Sequence, residues 1–272
     1  MADTAPAASR TAVMAAKQRA IHHVHGAEPK ILDDPIAARL LGADFDPAET
    51  PTAGASHASV VLRSRWSESR LELAVERGVS QLVLLGAGFE TFAYRQPAWA
   101  AGLRIYEIDH HASQEDKRRR LARAGVPLPA NLEFVAIDFE RTTLRDGLRA
   151  SALDFSRPAF FSCLGVLGYL SREAAMAVFR LVAEFPPGSE IAYTHYAEAP
   201  PAFVADTIKS VGEPLLSWFD PGALATDLRG MGFGEVARLD REEADRRFFQ
   251  NRADGLIAPE WPVMAAAVVG GR

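Results

Sequence analysis

The chain has 272 residues, a net charge of −5 and a single cysteine, Cys163. That length supports one large core, and no linker divides it. The mildly acidic balance argues against nucleic acid, which calls for a basic face, and a lone cysteine rules out an intrachain disulfide and suits a reducing cytoplasm.

Residues 1–10 read as a disordered tail, without the basic start and apolar core of a signal peptide. Thr11 to about His25 favours a helix. Asp33-Asp34-Pro35 is a second helix start, an acidic cap with proline in the first turn, leading into IAARLL. Residues 42–55 read as loop, and Ser56–Arg77 as a long helix ending at Gly78; together 11–78 form a helical cap. The pattern then changes. QLVLLGAG, LRIYEID, LEFVAIDF, PAFFSCLG and SEIAYTHY are short apolar runs, with helical patterns at about 113–124, 141–150 and 171–184 among them. Such alternation implies a parallel sheet covered on both faces, here a core over 79–196. Residues 197–220, with Pro200, Pro201 and Pro214, interrupt the rhythm as an inserted lid, for which Phe203 and Trp218-Phe219 are the apolar anchor. A helix at 221–231 and strands at 234–239 and 260–269 complete the core. The expected fold is α/β: a doubly wound, seven-stranded, mostly parallel sheet with an N-terminal helical cap. No run approaches the ~18 apolar residues of a membrane span. A cytoplasmic protein is expected, without membrane or nucleic-acid partners and with a homodimer left open.

In an open α/β sheet, ligands bind beyond the carboxyl ends of the strands. The first strand ends in Gly86-Ala87-Gly88, where a missing Cβ permits a sharp turn and close approach of a ligand; the helix expected next would aim its N-terminus at that ligand. The second strand ends in Asp109, 23 residues after Gly86, near the ~20-residue spacing at which a carboxylate binds ribose hydroxyls. Glu107, on the same face by alternation, competes for that role. The third ends in Asp138-Phe139, a carboxylate for an adenine amine beside a ring for the base. Thr91 stands where a dinucleotide site usually has a third small residue, and Glu90 would bring negative charge near a pyrophosphate. S-adenosylmethionine, which has no phosphate, suits the turn better than a nicotinamide cofactor.

His195, closing the fifth run, is the first candidate for a general base, ahead of His110 and His111. His22, His23 and His25 do not converge on one point as metal ligands would, and no metal is expected. Cys163, within AFFSCLGVLGYL, reads as a buried small residue. Lys117-Arg118-Arg119-Arg120 with Arg123 reads as a solvated helix face.

LVLLGAGFETFAYR, IYEIDHHASQEDKRRRL, FVAIDF and FFSCLGVLGYLSREA, in that order, resemble the leucine carboxyl methyltransferase family from about residue 11 to the C-terminus, and RFFQNRADGL resembles its bacterial branch of polyketide and secondary-metabolite O-methyltransferases. The resemblance implies an S-adenosylmethionine-dependent enzyme. It places Gly86, Ala87 and Gly88 against the methionine part, Asp109 on the ribose, and Asp138 and Phe139 on the adenine. Arg63, with Arg65 as the nearby alternative, matches an arginine that pairs with the cofactor or substrate carboxylate, and Tyr169 a tyrosine near the substrate. In the eukaryotic members a glutamate lies five residues before that tyrosine. Leu164 stands there in this chain, which favours a small-molecule hydroxyl or carboxylate over a protein C-terminus. Carboxyl methylation of a protein or peptide is the alternative within the class. A nicotinamide-dependent oxidoreductase and a non-catalytic S-adenosylmethionine-binding protein lie outside it.

Overall fold

A computed structural model describes residues 9–46, 55–137, 142–199 and 214–271. Three helices come first: α1 (Arg10–His25), α2 (Pro35–Leu41) and α3 (Ala55–Glu76). Helix α1 starts within the stretch read as a tail, because the Ser9 hydroxyl accepts the Ala12 N–H at 3.1 Å and caps it. Residues 1–8 of that stretch lie outside the described residues, as does 47–54 of the expected loop. Helix α2 begins as its sequence predicts, with Asp34 Oδ1 accepting the Ala37 N–H and Pro35 in the first turn.

The core follows as β1 (Gln81–Leu85), β2 (Arg104–Asp109), α4 (His111–Arg123), β3 (Leu132–Ala136), α5 (Leu144–Arg149), β4 (Phe160–Cys163), α6 (Arg172–Val182), β5 (Glu190–His195), α7 (Pro221–Gly230), β6 (Phe233–Leu239), α8 (Arg241–Ala244) and β7 (Val263–Val269). These strands form one seven-stranded sheet in the order β3-β2-β1-β4-β5-β7-β6. Only β7 runs antiparallel, inserted between β5 and β6. Every residue of β1, β4 and β5 is buried, as central strands covered on both faces must be. The strand order reverses between β1 and β4, so their carboxyl ends open the crevice in which such sheets bind ligands.

One expectation fails beside that crevice. No α-helix follows the glycine turn: two single 3-10 turns, Phe92–Tyr94 and Ala98–Ala100, carry the chain from β1 to β2. Pro97, which has no N–H to donate, precedes the second turn. Thr91 and Arg95 are tied by their side chains to the cap. A helix dipole therefore plays no part at this strand end, and α3 covers the sheet in its place. Glu190 at the start of β5 is fully buried and takes Arg70 of α3 at 2.5 Å and Arg77, just past its end, at 2.6 Å. Ser67 of α3 meets Ser162 of β4 at 3.3 Å.

Within the cap, His22 is fully buried and its Nε2 accepts the Ile31 N–H at 3.1 Å. Protonating that nitrogen would set two hydrogens against each other. Burial, and then the nearby His57, push its pKa down to about 4. A histidine held neutral in the fold contributes stability that is full above its unfolded pKa near 6.5 and lost as pH falls toward 4. Urea unfolding of wild type and His22→Gln should therefore show a stability difference that shrinks by about 2 kcal/mol between pH 7.5 and pH 5. A difference independent of pH would mean that His22 does not titrate in this window.

Candidate functional site

Gly86 and Gly88 both adopt left-handed φ, +62° and +43°, which side chains resist. Protein, rather than ligand, occupies the space each missing Cβ leaves. A Cβ on Gly86 would lie 2.5 Å from Val166 Cγ2 across the switch point, and one on Gly88 2.9 Å from Ala12 Cβ of α1. The turn is thus clasped between the loop after β4 and the first helix. Asp109 fixes it from the side: Oδ2 accepts the Gly88 N–H at 2.6 Å and Oδ1 the His110 N–H at 2.7 Å. The carboxylate stays half-buried at the cavity wall.

Glu107 does not compete with it. Its carboxylate is fully buried under α4, where Lys117 Nζ lies 2.7 Å away. This also corrects the reading of the basic run. Lys117 is only 1% exposed, because the helix turns it inward onto Glu107. Arg119 and Arg120 pair with Asp116 on the outer side, and Arg118 lies over Phe134.

A second buried cluster joins the cap to the turn. Asp34 Oδ2 accepts from Arg19 Nε at 2.8 Å and from the Thr91 hydroxyl at 2.6 Å, and Arg95 Nε lies 3.5 Å from Oδ1. Arg19 also donates to the Phe89 carbonyl at 2.5 Å. Arg95 pairs with Glu68 of α3 and lies 3.7 Å from Glu90. Despite burial, the charges of Arg19 and then Arg95 hold Asp34 below the usual carboxylate range. Losing one partner of such a buried set typically costs ~3–5 kcal/mol.

Above the turn lies a cavity of about 710 Å³, well within the ~300–1,000 Å³ range of ligand sites. The strand ends supply Gly86, Ala87, Gly88, Asp109, Leu164 and Gly165. Helix α1 supplies Met14, Ala15, Gln18 and Arg19, and α3 supplies Ser59, Val60, Arg63 and Ser64 at helical spacing. Trp261 and Pro262, leading into β7, line the cavity as well. Arg65, the alternative to Arg63, is not among the described lining residues. Arg63 has no carboxylate or hydrogen-bond partner among the described residues. Burial, and then the like charge of Arg19, lower its pKa, as expected of a cation short of a counter-ion. Tyr169 and Tyr196 line the cavity within its field. Gly165, at φ +69°, leaves room for it: a Cβ there would sit 2.6 Å from Arg63 Nη1. The Gly165 N–H donates to the Thr194 hydroxyl at 2.7 Å.

The sequence candidates are thus partly assembled. Arg63, Gly86, Ala87, Gly88, Asp109 and Tyr169 line one cavity. Asp138 and Phe139 lie outside the described residues, as do 200–213 of the expected lid, Phe203 included. His195 is not brought to the cavity. It is 2% exposed, stacked on Tyr193, edge-on to Phe219, with Nδ1 3.2 Å from the Tyr196 carbonyl oxygen. Burial lowers its pKa. Tyr196, one residue on, is the aromatic residue that reaches the wall. His110 and His111 are exposed at the start of α4. Burial pushes the Cys163 thiol up to about 12, so it stays protonated. Among the described residues no group of three or more His, Cys, Asp or Glu could hold a metal, and no helix is long and apolar enough to cross a membrane.

A seven-stranded sheet with this order, a glycine turn flanked by Asp109 on one side and an uncompensated arginine on the other, suits a nucleoside that carries a charged amino-acid tail. Similarity to known proteins agrees with this: the protein is an S-adenosylmethionine-dependent methyltransferase. Residues 12–183 match the leucine carboxyl methyltransferase family, to which the chain belongs. A Bacillus subtilis (strain 168) protein, YktD, described provisionally as an S-adenosyl-L-methionine-dependent methyltransferase, is 32% identical over 241 residues, covering 85% of this chain and 76% of that protein. Two crystal structures share the fold. A Streptomyces avermitilis DUF574-family protein has a TM-score of 0.57 at 18% identity, covering 95% of this chain and 97% of that one. A Thermobifida fusca protein, described provisionally as a methyltransferase, has 0.56 at 20%, covering 93% and 94%.

Gly165→Ala tests the packing on Arg63. The added methyl group must displace the guanidinium, and the left-handed backbone adds a cost of about 1 kcal/mol. Calorimetry should show S-adenosylhomocysteine binding weakened at least ~10-fold in a folded protein. Unchanged affinity would separate Arg63 from the ligand.

Proposed function

We propose that the protein methylates an oxygen of a small molecule, a hydroxyl or a carboxylate, in secondary metabolism. The observation that carries this reading is the lining of the cavity, which sets Tyr169 and Tyr196 among the apolar residues Met14, Val60, Leu170, Trp261 and Pro262. That lining suits a flat, largely apolar molecule held by one or two polar contacts. When bound, S-adenosylmethionine supplies a sulfonium methyl group that is electrophilic at carbon. The protein's part is to align an acceptor oxygen with that carbon and to keep water out.

In this reading Gly86, Ala87 and Gly88 receive the methionine part, Asp109 the ribose, and Asp138 and Phe139 the adenine. Tyr169 and Tyr196 orient the acceptor oxygen through their hydroxyls. Glu90 and Asp109 are the carboxylates among the described lining residues, and both already accept backbone N–H groups. An acceptor that arrives ionised, such as a carboxylate or an acidic phenol, therefore needs no proton taken from it. A peptide carboxylate is the second reading, favoured by the free charge of Arg63. Leu164 in the wall and the α1 residues over the cavity favour the small molecule.

Binding and turnover test this separately. S-adenosylhomocysteine should raise the melting temperature and NAD should not, whereas stabilisation by NAD alone would refute the cofactor assignment. Asp109→Ala should weaken S-adenosylhomocysteine binding at least ~10-fold by calorimetry; unchanged affinity would remove Asp109 from the site. In an acceptor panel, Tyr196→Phe should lower kcat/KM by ~10–100-fold with cofactor affinity unaltered. Equal activity on the best acceptor would show that the Tyr196 hydroxyl does not hold it.

A further inference from the structure

Glu90 lines the cavity beside the glycine turn. Its Oε1 accepts the Thr91 N–H at 2.7 Å and the Phe92 N–H at 3.2 Å. Those two bonds fix the plane of the carboxylate and leave Oε2 without a hydrogen bond among the described residues. Arg95 comes no nearer than 3.7 Å, at Oε1, too far for a hydrogen bond. Burial works against ionisation of Glu90, but the charges of Arg19 and Arg95 outweigh it and hold the pKa below the ordinary value. The group is an anion at neutral pH.

The surrounding charges sharpen its role. Arg19, Arg63 and Arg95 face Asp34, Glu68 and Glu90, so the cluster is balanced as a whole. Arg19 is taken by Asp34, and Arg95 by Glu68 and Asp34. Arg63 and Glu90 remain, opposite in sign, close enough to feel each other's field and both in the cavity wall beside the glycine turn. Leu164, across the turn, offers no polar atom beyond its backbone. A ligand that brought only an anion to this end would answer Arg63 and leave Glu90 Oε2 without a hydrogen-bond donor, whereas a zwitterion answers both.

Resting on S-adenosylmethionine as the donor, we propose that Glu90 Oε2 accepts the ammonium of its amino-acid end while Arg63 holds the carboxylate, so that the two side chains read the zwitterion as one unit. The contrasting role is structural: Glu90 would only brace the 3-10 turn and Arg95.

Two thioethers distinguish the roles on the full-length protein. S-adenosylhomocysteine carries the amino-acid end, and 5′-methylthioadenosine lacks it. By calorimetry Glu90→Gln, which keeps an oxygen for the Thr91 and Phe92 N–H groups, should weaken S-adenosylhomocysteine ~10–100-fold and leave 5′-methylthioadenosine within about twofold. Equal weakening of both ligands, or of neither, would overturn the proposal. Wild-type protein with the deaminated analogue of S-adenosylhomocysteine gives the same reading without a variant: affinity should fall by a similar factor, and an analogue bound as tightly as the parent overturns the role. Failure of wild type to bind S-adenosylhomocysteine would overturn the donor assignment together with this role. Wild-type binding with an indifferent Glu90→Gln overturns the role alone.

Discussion

Asp34 is the point at which the helical cap becomes part of the binding site. One carboxylate starts α2 through the Ala37 N–H, neutralises Arg19 of α1, and receives the Thr91 hydroxyl just past the glycine turn. Each contact is buried, and each belongs to a different segment. Removing the carboxylate would strand Arg19 as an unpaired interior cation, so the cap cannot detach at low cost. The position of α1 over Gly88, and hence the roof of the cavity, follows from that one side chain.

Helix α3 is the second member of this arrangement. Glu190 anchors its far end, Glu68 reaches Arg95 at its middle, and Arg63 is left facing the crevice. The same helix thus uses Glu68 and Arg70 to fix itself and leaves Arg63 at the cavity. Such an asymmetry is what separates a binding cation from a structural one. The paired residues have short, satisfied contacts, and Arg63 has hydroxyl neighbours and the field of Glu90 but no carboxylate in direct contact among the described residues.

Much of this was legible in the sequence, for definite reasons. Strands β1, β4 and β5 announce themselves as short apolar runs because both faces are buried, and the capping residue Asp34 stands directly before its helix. Asp109 could be located because a strand end fixes where its side chain projects. The failures are equally physical. The basic run on α4 hides a buried lysine, since local composition does not show that Glu107 waits beneath it. The histidine of YTHY looked more reactive than its neighbour. The sheet, however, turns His195 into the packed layer with Tyr193 and Phe219 and leaves Tyr196 to reach the cavity. Nothing in the Ala-rich first helix signals that it lines a binding site, because small residues there serve close packing rather than recognition. The missing helix after β1 was obscured by a fold-level habit that Thr91, Arg95 and Pro97 override.

Because α1 forms both an outer layer of the cap and part of the cavity lining, the first part of the chain shapes the space open to a ligand as well as the cap. Ala12 touches the turn, while Met14, Ala15 and Gln18 face the space above it. Trimming or re-engineering this helix, as is often done to improve expression, would therefore reshape the cavity along with the cap. Conversely, the cavity could be altered by varying three or four positions on one helix, with the sheet and its glycine turn left untouched.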